Sequence, residues 1–379
     1  MKGIKIKCCI AAALLMTGCG QTAGTQKYRL RPMDQMSFSW SINPVYPYQD
    51  GFFTIDIAQS LLVYYEHCET PVLVTEVFFR NDKPLSEAAH EELRYQEYGS
   101  SPFAYVYGDQ VLYLSQYANA DGESHFNLNA VSLDGKTRTT IRKLDYEPLY
   151  FIMHDGILAI DEAVYEIKEN EGTGTMVQAM QPNILHIYDE SGKEINTVQL
   201  AGQIGRMQAD GNYIYYTEMD RSSGWIRRII TETGEVEELR EGDNMVFVNQ
   251  GRMSLYTPGG LVDGRFRYLN SRIEDEKGEI LFEAEDDCII EYFDDGHIFI
   301  ADLRENNQKY LVYDWEGNLL MTIDPLQSGI PAPYEGIVRI IGDQLIGQLN
   351  SQPTQFFACS LSDGGCRVLE NPEYHFPYQ

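Results

Sequence analysis

Short apolar runs, many of them built around tyrosine, alternate along this chain with small turn residues. Runs rich in Ile, Tyr, Phe and Leu suit a pleated, half-buried surface and predict strands. Seven of the turns share one form: Asp50-Gly51, Gly108-Asp109, Asp155-Gly156, Asp210-Gly211, Gln250-Gly251, Asp295-Gly296 and Gly342-Asp343. Tight hairpins need positive φ at their central residues, which Gly and Asp tolerate. A strand is predicted after each turn, at 53–57, 111–114, 157–160, 213–217, 253–256, 297–300 and 344–347.

A second hairpin follows each first one. Its turns are Asp134-Gly135, Ser191-Gly192, Thr233-Gly234, Lys277-Gly278, Glu316-Gly317 and Asp363-Gly364, with 67–70 as the irregular first member. Two hairpins make four strands, and the unit recurs roughly every 45 residues, the period of a propeller blade. The predicted fold class is therefore all-β, a β-propeller of four-stranded blades filling residues 45–370. Seven blades are expected; units one and five carry the weakest pattern, which leaves six or eight as neighbouring counts. A pair of β-sandwiches also gives many short strands, but it does not require two turn types alternating at a fixed period.

Two phrases, Ile214-Tyr215-Tyr216-Thr217-Glu218 and Leu128-Asn129-Ala130-Val131-Ser132-Leu133-Asp134-Gly135-Lys136, resemble the tyrosine-tryptophan-threonine-aspartate (YWTD) propellers of lipoprotein-receptor type. The resemblance implies the same blade and transfers no catalytic residue. The tetrapeptide itself is absent, and the receptor module has six units where this chain reads as seven. One helix is expected outside the strands, at 85–96, which lacks Gly and β-branched residues. Asp82 suits its N-cap and Pro84 its first turn. This insert, near 82–97, would join blade one to blade two.

The net charge of −28 repels phosphate backbones, so nucleic acid is not expected as a partner. Beyond Cys19 the cysteines are Cys68, Cys288, Cys359 and Cys366, too few and scattered for a disulfide framework. Cys359 and Cys366 flank a turn and are placed to bridge across a hairpin, where a bond would be structural.

The first residues carry an address. Lys2, Lys5 and Lys7 precede an apolar run from Cys8 to Met16, followed by Thr17-Gly18-Cys19. A basic start, a short apolar core and small residues before the cut make a secretory signal. With cysteine first after the cut, the segment resembles the signal of a bacterial lipoprotein, in which the cysteine sulfur takes a diacylglyceryl group. Met16 departs from that pattern, where Leu is usual. Residues 1–18 are then the signal peptide, 19–27 a tether lipidated at Cys19, and 28–379 a single propeller domain. Cutting removes three lysines and no acids, which takes the charge to about −31. An uncleaved anchor is the alternative, but the apolar run is well short of the ~20 residues that span a bilayer. The implied location is extracytoplasmic, on a bacterial membrane. Within 28–42, the alternating Met36-Ser37-Phe38-Ser39-Trp40 could add a strand to the last blade.

In a propeller both kinds of tight turn share one face, and the remaining connections share the other. The long segments 75–103, 115–126, 161–183, 219–224, 257–264, 303–309 and 325–335 fall on that other face. Long loops over a rigid scaffold commonly carry function, so a binding site is expected there, over the central channel. Its candidate contacts are Tyr117, Asp121 and His125 from blade two, and Glu162, Tyr165 and Glu166 from blade three. Arg221 and Trp225 come from blade four, and Arg304 and Tyr334 from the last two. Aromatics with a polar tip suit protein, peptide or glycan surfaces.

Catalytic signals are weak. His90-Glu91-Glu92-Leu93 begins like a zinc-protease helix but has no histidine four positions after the first. There is no Gly-x-Ser-x-Gly elbow. The acidic run 283–287 lacks a calcium-loop pattern. His67-Cys68 suggests a thiol, with nothing basic nearby to lower its pKa. No cofactor or metal is predicted. The sequence reads as a membrane-anchored binding or scaffold propeller. The alternative is an extracytoplasmic glycan- or peptide-cleaving enzyme with its site in the central channel.

Overall fold

The structure is a computed structural model. It describes residues 45–370 apart from 49, 57–60, 77–78, 81–82, 85–95, 108–109, 119–123, 133–136, 155, 170–175, 181–182, 190–191, 220–223, 263, 305–308, 332–333 and 350–354. Among the described residues every helix or strand element is a strand.

Seven antiparallel sheets of four strands follow one another along the chain. Blade one is Val45–Tyr48, Gly51–Asp56, Leu61–Glu66 and Thr70–Glu76. Blade two is Gln96–Tyr107, Gln110–Ala118, Ser124–Ser132 and Arg138–Leu144; blade three is Glu147–His154, Ile157–Ala163, Ile184–Tyr188 and Glu194–Gln199. Blade four takes Gln203–Asp210, Tyr213–Met219, Gly224–Ile230 and Val236–Glu241, and blade five Asn244–Asn249, Arg252–Val262, Arg265–Glu274 and Ile280–Glu283. Blades six and seven are Cys288–Phe293, Ile298–Asp302, Lys309–Tyr313 and Leu319–Ile323, then Tyr334–Ile341, Gln344–Leu349, Gln355–Ser360 and Cys366–Val368. The first strands of blades one to six touch in succession, and that of blade seven touches that of blade one. This is a seven-bladed β-propeller, and the expected Asp-Gly-type turns fall between strands one and two or three and four; those at 108–109 and 134–135 lie outside the described residues.

The core lies between blades, because each sheet is apolar on both faces. In blade three, Leu158 and Ile160 pack toward blade two, while Ala159 joins Leu185 and Ile187 against Ile214 and Tyr216 of blade four. The ring closes by packing: Phe52 and Tyr65 of blade one meet Phe356 of blade seven at centroid distances of 5.6 and 5.9 Å. Blade seven draws its four strands from its own segment. The strand considered within 28–42 lies outside the described residues.

Two features recur that no sequence pattern announced. Pairing between the first two strands carries a bulge in blades two to seven. Bulges bend a strand and leave a backbone group without its ladder partner. In blade five that group is Val246 O, which accepts bonds from Gln208 Nε2 and Arg206 of blade four, while Gln208 Oε1 accepts from Val248 N. The Gln208 amide thus supplies the edge contacts that a neighbouring strand would.

The second feature is an acidic strap near the end of a second strand. Glu162 Oε2 accepts from Tyr146 N at 3.1 Å, and Glu218 accepts from Gly202 N. Both donors lie in the connection that enters the blade. The helical insert is corrected at its ends: Lys83–Pro84 pairs with Phe79–Arg80 in a short hairpin, and Gln96 begins a strand. Asp82 and residues 85–95 lie outside the described residues.

Candidate functional site

The tight turns share one face. On the other face, three expected loops are β-structure. Blade two's middle strands run on to Ala118 and resume at Ser124. Blade three inserts a separate hairpin, Tyr165–Glu169 with Met176–Met180. Blade five's middle strands extend to Val262 and Arg265, joined by Asp263-Gly264. That last hairpin replaces the loop expected at 257–264. Its signal was present, since Asp-Gly, here between Leu261-Val262 and Arg265-Phe266, marks a two-residue hairpin.

The blade-five hairpin is built in detail. Its register shifts between Pro258 and Leu261. Gly260 there has φ +75°, and a Cβ on Gly259 would lie 2.7 Å from that of Arg267, so glycine permits the bend. Beyond it, Leu261 pairs with Phe266 and Val262 with Arg265. Phe266 packs on Tyr268 at 5.5 Å and Tyr268 on Tyr256 at 5.2 Å, an aromatic ladder from blade to tip.

Asp287, in the connection to blade six, clamps the base. Its Oδ1 accepts from Arg267 Nε at 2.7 Å and Tyr268 N at 3.2 Å, and its own N–H donates to Tyr268 O. Desolvation works to raise the Asp287 carboxyl but is outweighed by those bonds, which hold it below the usual range. The ladder and clamp make the hairpin a rigid projection whose tip leaves Leu261, Val262 and Phe266 exposed.

The candidate residues divide. Glu162 is 3% exposed and serves as a strap. Burial raises its carboxyl, opposed by His186 at 4.0 Å. His186 Nδ1 meets Glu194 at 3.0 Å, and Arg142 of blade two lies 3.7 Å from Glu194 and 4.4 Å over the Tyr188 ring. Glu162 therefore belongs to a seam between blades two and three. Trp225 sits at the long-loop end of blade four, with Arg227 5.7 Å from its ring. Arg304 is held by Asp302 at 2.7 Å and by Glu285.

Tyr117 and His125 are register partners in the blade-two extension. Tyr165 and Glu166 lie on the inserted hairpin opposite Met180 and Ala179. Tyr334 opens the first strand of blade seven. Cys19, Asp121 and Arg221 lie outside the described residues. Cys359 and Cys366 form the disulfide, across a register pair of blade seven.

Asp161 was not singled out in the sequence. It is fully buried on the blade-four side of blade three, where Asn183 Nδ2 donates to its Oδ2 at 2.9 Å. Among the described residues, Asp161 Oδ1 and Asn183 Oδ1 have no donor. Burial without a second donor pushes this carboxyl up to about 7.

On the tight-turn face, a pocket of about 380 Å³ opens between blades one and seven, lined by Asp50, His67, Cys68, Asp343 and Arg367 among others. His67 and Cys68 occupy a left-handed turn at φ 52° and 55°. Burial pushes the Cys68 thiol up to about 11, with Arg367 opposing it. The sequence around Cys68 offered no basic group; the fold brings Arg367 near, and burial outweighs it. Among the described residues no three His, Cys, Asp or Glu side chains are grouped to hold a metal.

The fold defines the class, a seven-bladed propeller. No family model matches the chain, and no curated protein matches it. Among solved structures, prolyl oligopeptidase B from Galerina marginata superposes with a TM-score of 0.55 at 10% identity, over 86% of this chain and 50% of that one. A prolyl endopeptidase gives 0.51 at 12%, over 87% and 50%. The acylaminoacyl peptidase of Pyrococcus horikoshii gives 0.51 at 10%, over 87% and 52%. The chain spans about half the length of these peptidases, and at such identities the likeness shows the fold alone.

Proposed function

We propose that this chain is an extracytoplasmic binding or scaffold propeller, lipid-anchored through Cys19, that takes a protein, peptide or glycan on its long-loop face. One observation carries the reading. The connections between middle strands rise from that face as hairpins in blades two, three and five, while the opposite face ends in short turns. Projecting hairpins on a rigid scaffold present side chains clear of the core, and such projections commonly carry binding. The signal-like segment ending at Cys19 supplies the location, and the resemblance of two phrases to YWTD propellers is part of the same proposal.

The test uses the blade-three hairpin. Ile157–Ala163 and Ile184–Tyr188 pair with each other directly, so replacing 166–179 by a short turn leaves the blade sheet intact. The full-length protein and this variant are crosslinked in native membranes, and captured proteins and glycans are compared by mass spectrometry. A ligand lost with the hairpin supports the reading. A ligand captured equally by both forms, or one mapped to the tight turns, overturns it.

A further inference from the structure

We propose that the blade-five hairpin is a membrane-docking element, whose Leu261, Val262 and Phe266 enter the interface of the bilayer that holds the chain. Membrane attachment rests on the lipidation reading above; the hairpin's role is a separate inference.

Three observations carry it. The tip concentrates exposed apolar surface: Leu261 is 72% exposed, Phe266 49% and Val262 46%. Other exposed aliphatics, such as Ile195, Ile280 and Leu319, lie on the outer strands around the rim. Scattered side chains of that kind are ordinary, but a cluster at the end of a rigid projection marks a contact.

The second observation is topological. Val45–Tyr48 runs into the Asp50-Gly51 turn, so its starting end lies on the opposite, long-loop face. The segment from Cys19 thus joins the disc on the face from which the hairpin projects. About 26 residues separate Cys19 from Val45, a maximum reach of roughly 85 Å. The tether therefore permits contact with the bilayer without forcing it. The hairpin rises from Thr257 to Val262, at most about 17 Å at strand spacing, so its tip stands clear of the four-strand ladder on the face that the segment from Cys19 joins.

The third observation is chemical. A surface of net charge −28 is repelled by anionic headgroups, so docking has to come from apolar insertion. The tip supplies it: around Leu261, Val262 and Phe266 the charged residues are Asp263, Arg265 and Arg267, without the acidic excess of the whole chain. Interfacial binding grows with buried apolar area. Because blades one and two lie opposite blade five in a ring of seven, docking at blade five tilts the disc and leaves the blade-two hairpin open to a partner near the membrane.

The test reads depth. Full-length lipidated protein carrying Leu261→Cys or Glu316→Cys is spin-labelled and reconstituted in phosphatidylcholine vesicles. Position 316 is an exposed turn on the opposite face, and the buried thiols of Cys68 and Cys288, both pushed up to about 11, do not compete for label. The expected result is that the 261 label gains accessibility to oxygen and loses it to a water-soluble nickel chelate, while the 316 label stays aqueous. Adding Phe266→Ser to Leu261→Cys should return the 261 label toward aqueous values.

A 261 label that stays aqueous overturns docking. A label shielded from both reagents, with spin–spin broadening, makes a second copy the occupant and also overturns it. The mass of the Cys19 peptide from the same sample reports lipidation separately. If Cys19 is unmodified, the measurement is repeated with Cys8, Cys9 and Cys19 replaced by serine and with vesicles added in excess, where the same shift is expected.

Discussion

The two faces of this disc are made by the same four-strand connectivity, yet they are built in opposite ways. On the tight-turn face, neighbouring blades are wired together: Asp210 Oδ2 accepts from Gly251 N at 2.6 Å, and Asn249 Nδ2 donates to Phe293 O at 3.3 Å. Asn196 Nδ2 donates to Thr231 O at 2.6 Å, and Arg367 reaches Glu69 and Cys68 O across the ring seam. On the long-loop face the hairpins continue beyond the four-strand ladder of their blades, and the described bonds of the blade-five hairpin to the connection into blade six gather at its base, around Asp287. Short turns leave too little chain to do anything but brace the ring. Extended hairpins carry side chains away from the core, where exposure no longer costs stability. The comparison teaches that stability is lodged in the floor and seams, which leaves the projections free for the recognition proposed above.

The sharpest way to break that division is at the ring seam. Phe356→Ala removes a ring packed between Phe52 and Tyr65, and should cost about 3–5 kcal/mol in chemical denaturation. A loss under about 1 kcal/mol would mean that the seam collapses without strain and that closure lies elsewhere.

A comparable effect is expected from pH at Asp161. Its folded-state carboxyl titrates at about 7 against a reference of 3.8, so the folded state holds the proton more tightly. Its contribution is complete below about pH 4 and is lost as pH rises to about 7, a difference of a few kcal/mol. Other carboxylates, such as Asp302, are lowered mainly by the bond from Arg304 and act in the opposite direction. The useful readout is therefore Asp161→Asn against wild type. The variant should gain relative stability across that window, and parallel curves would show that Asp161 is ionised in the fold.

Smaller in size is Asp287→Ala, which removes the clamp and should cost about 1–2 kcal/mol. Hydrogen exchange should speed up at 265–270, with the tight-turn amides unchanged. Exchange that rises equally on both faces would erase the contrast between floor and projection. The smallest effect belongs to Leu261→Ser combined with Phe266→Ser, expected within about 0.5 kcal/mol of wild type by denaturation. A large loss there would make the tip part of the core.

Much of the fold was legible because its determinants are local. Thr233-Gly234 and Lys277-Gly278 mark hairpins through the positive φ of Gly234 and Gly278, and the disulfide was readable because Cys359 and Cys366 flank one turn. The site was less legible. Asp263-Gly264 has the hairpin form, but it falls outside the alternation of the other turns and was absorbed into a loop. The stretch around 82–97 has helical composition, yet Lys83–Pro84 and Gln96 are strand, since pairing partners override local preference. Glu162 looked like a loop acid because nothing in its neighbourhood reveals that Tyr146 N will approach it from another connection.

The sequence by itself determined the four-stranded blade and its repetition, the place of most tight turns, the acidic composition and the signal-like segment ending at Cys19, because repetition and short-range backbone preference need no partner; the closed ring settled the count at seven. Only the tertiary structure decided the bulged inner strands, the neutral-leaning Asp161, the acidic straps and the exposed tip of the blade-five hairpin. Each of these depends on which groups from distant strands are brought within bonding range, or on how far a hairpin stands beyond the ladder of its blade. Those are properties of the closed ring and of no single segment.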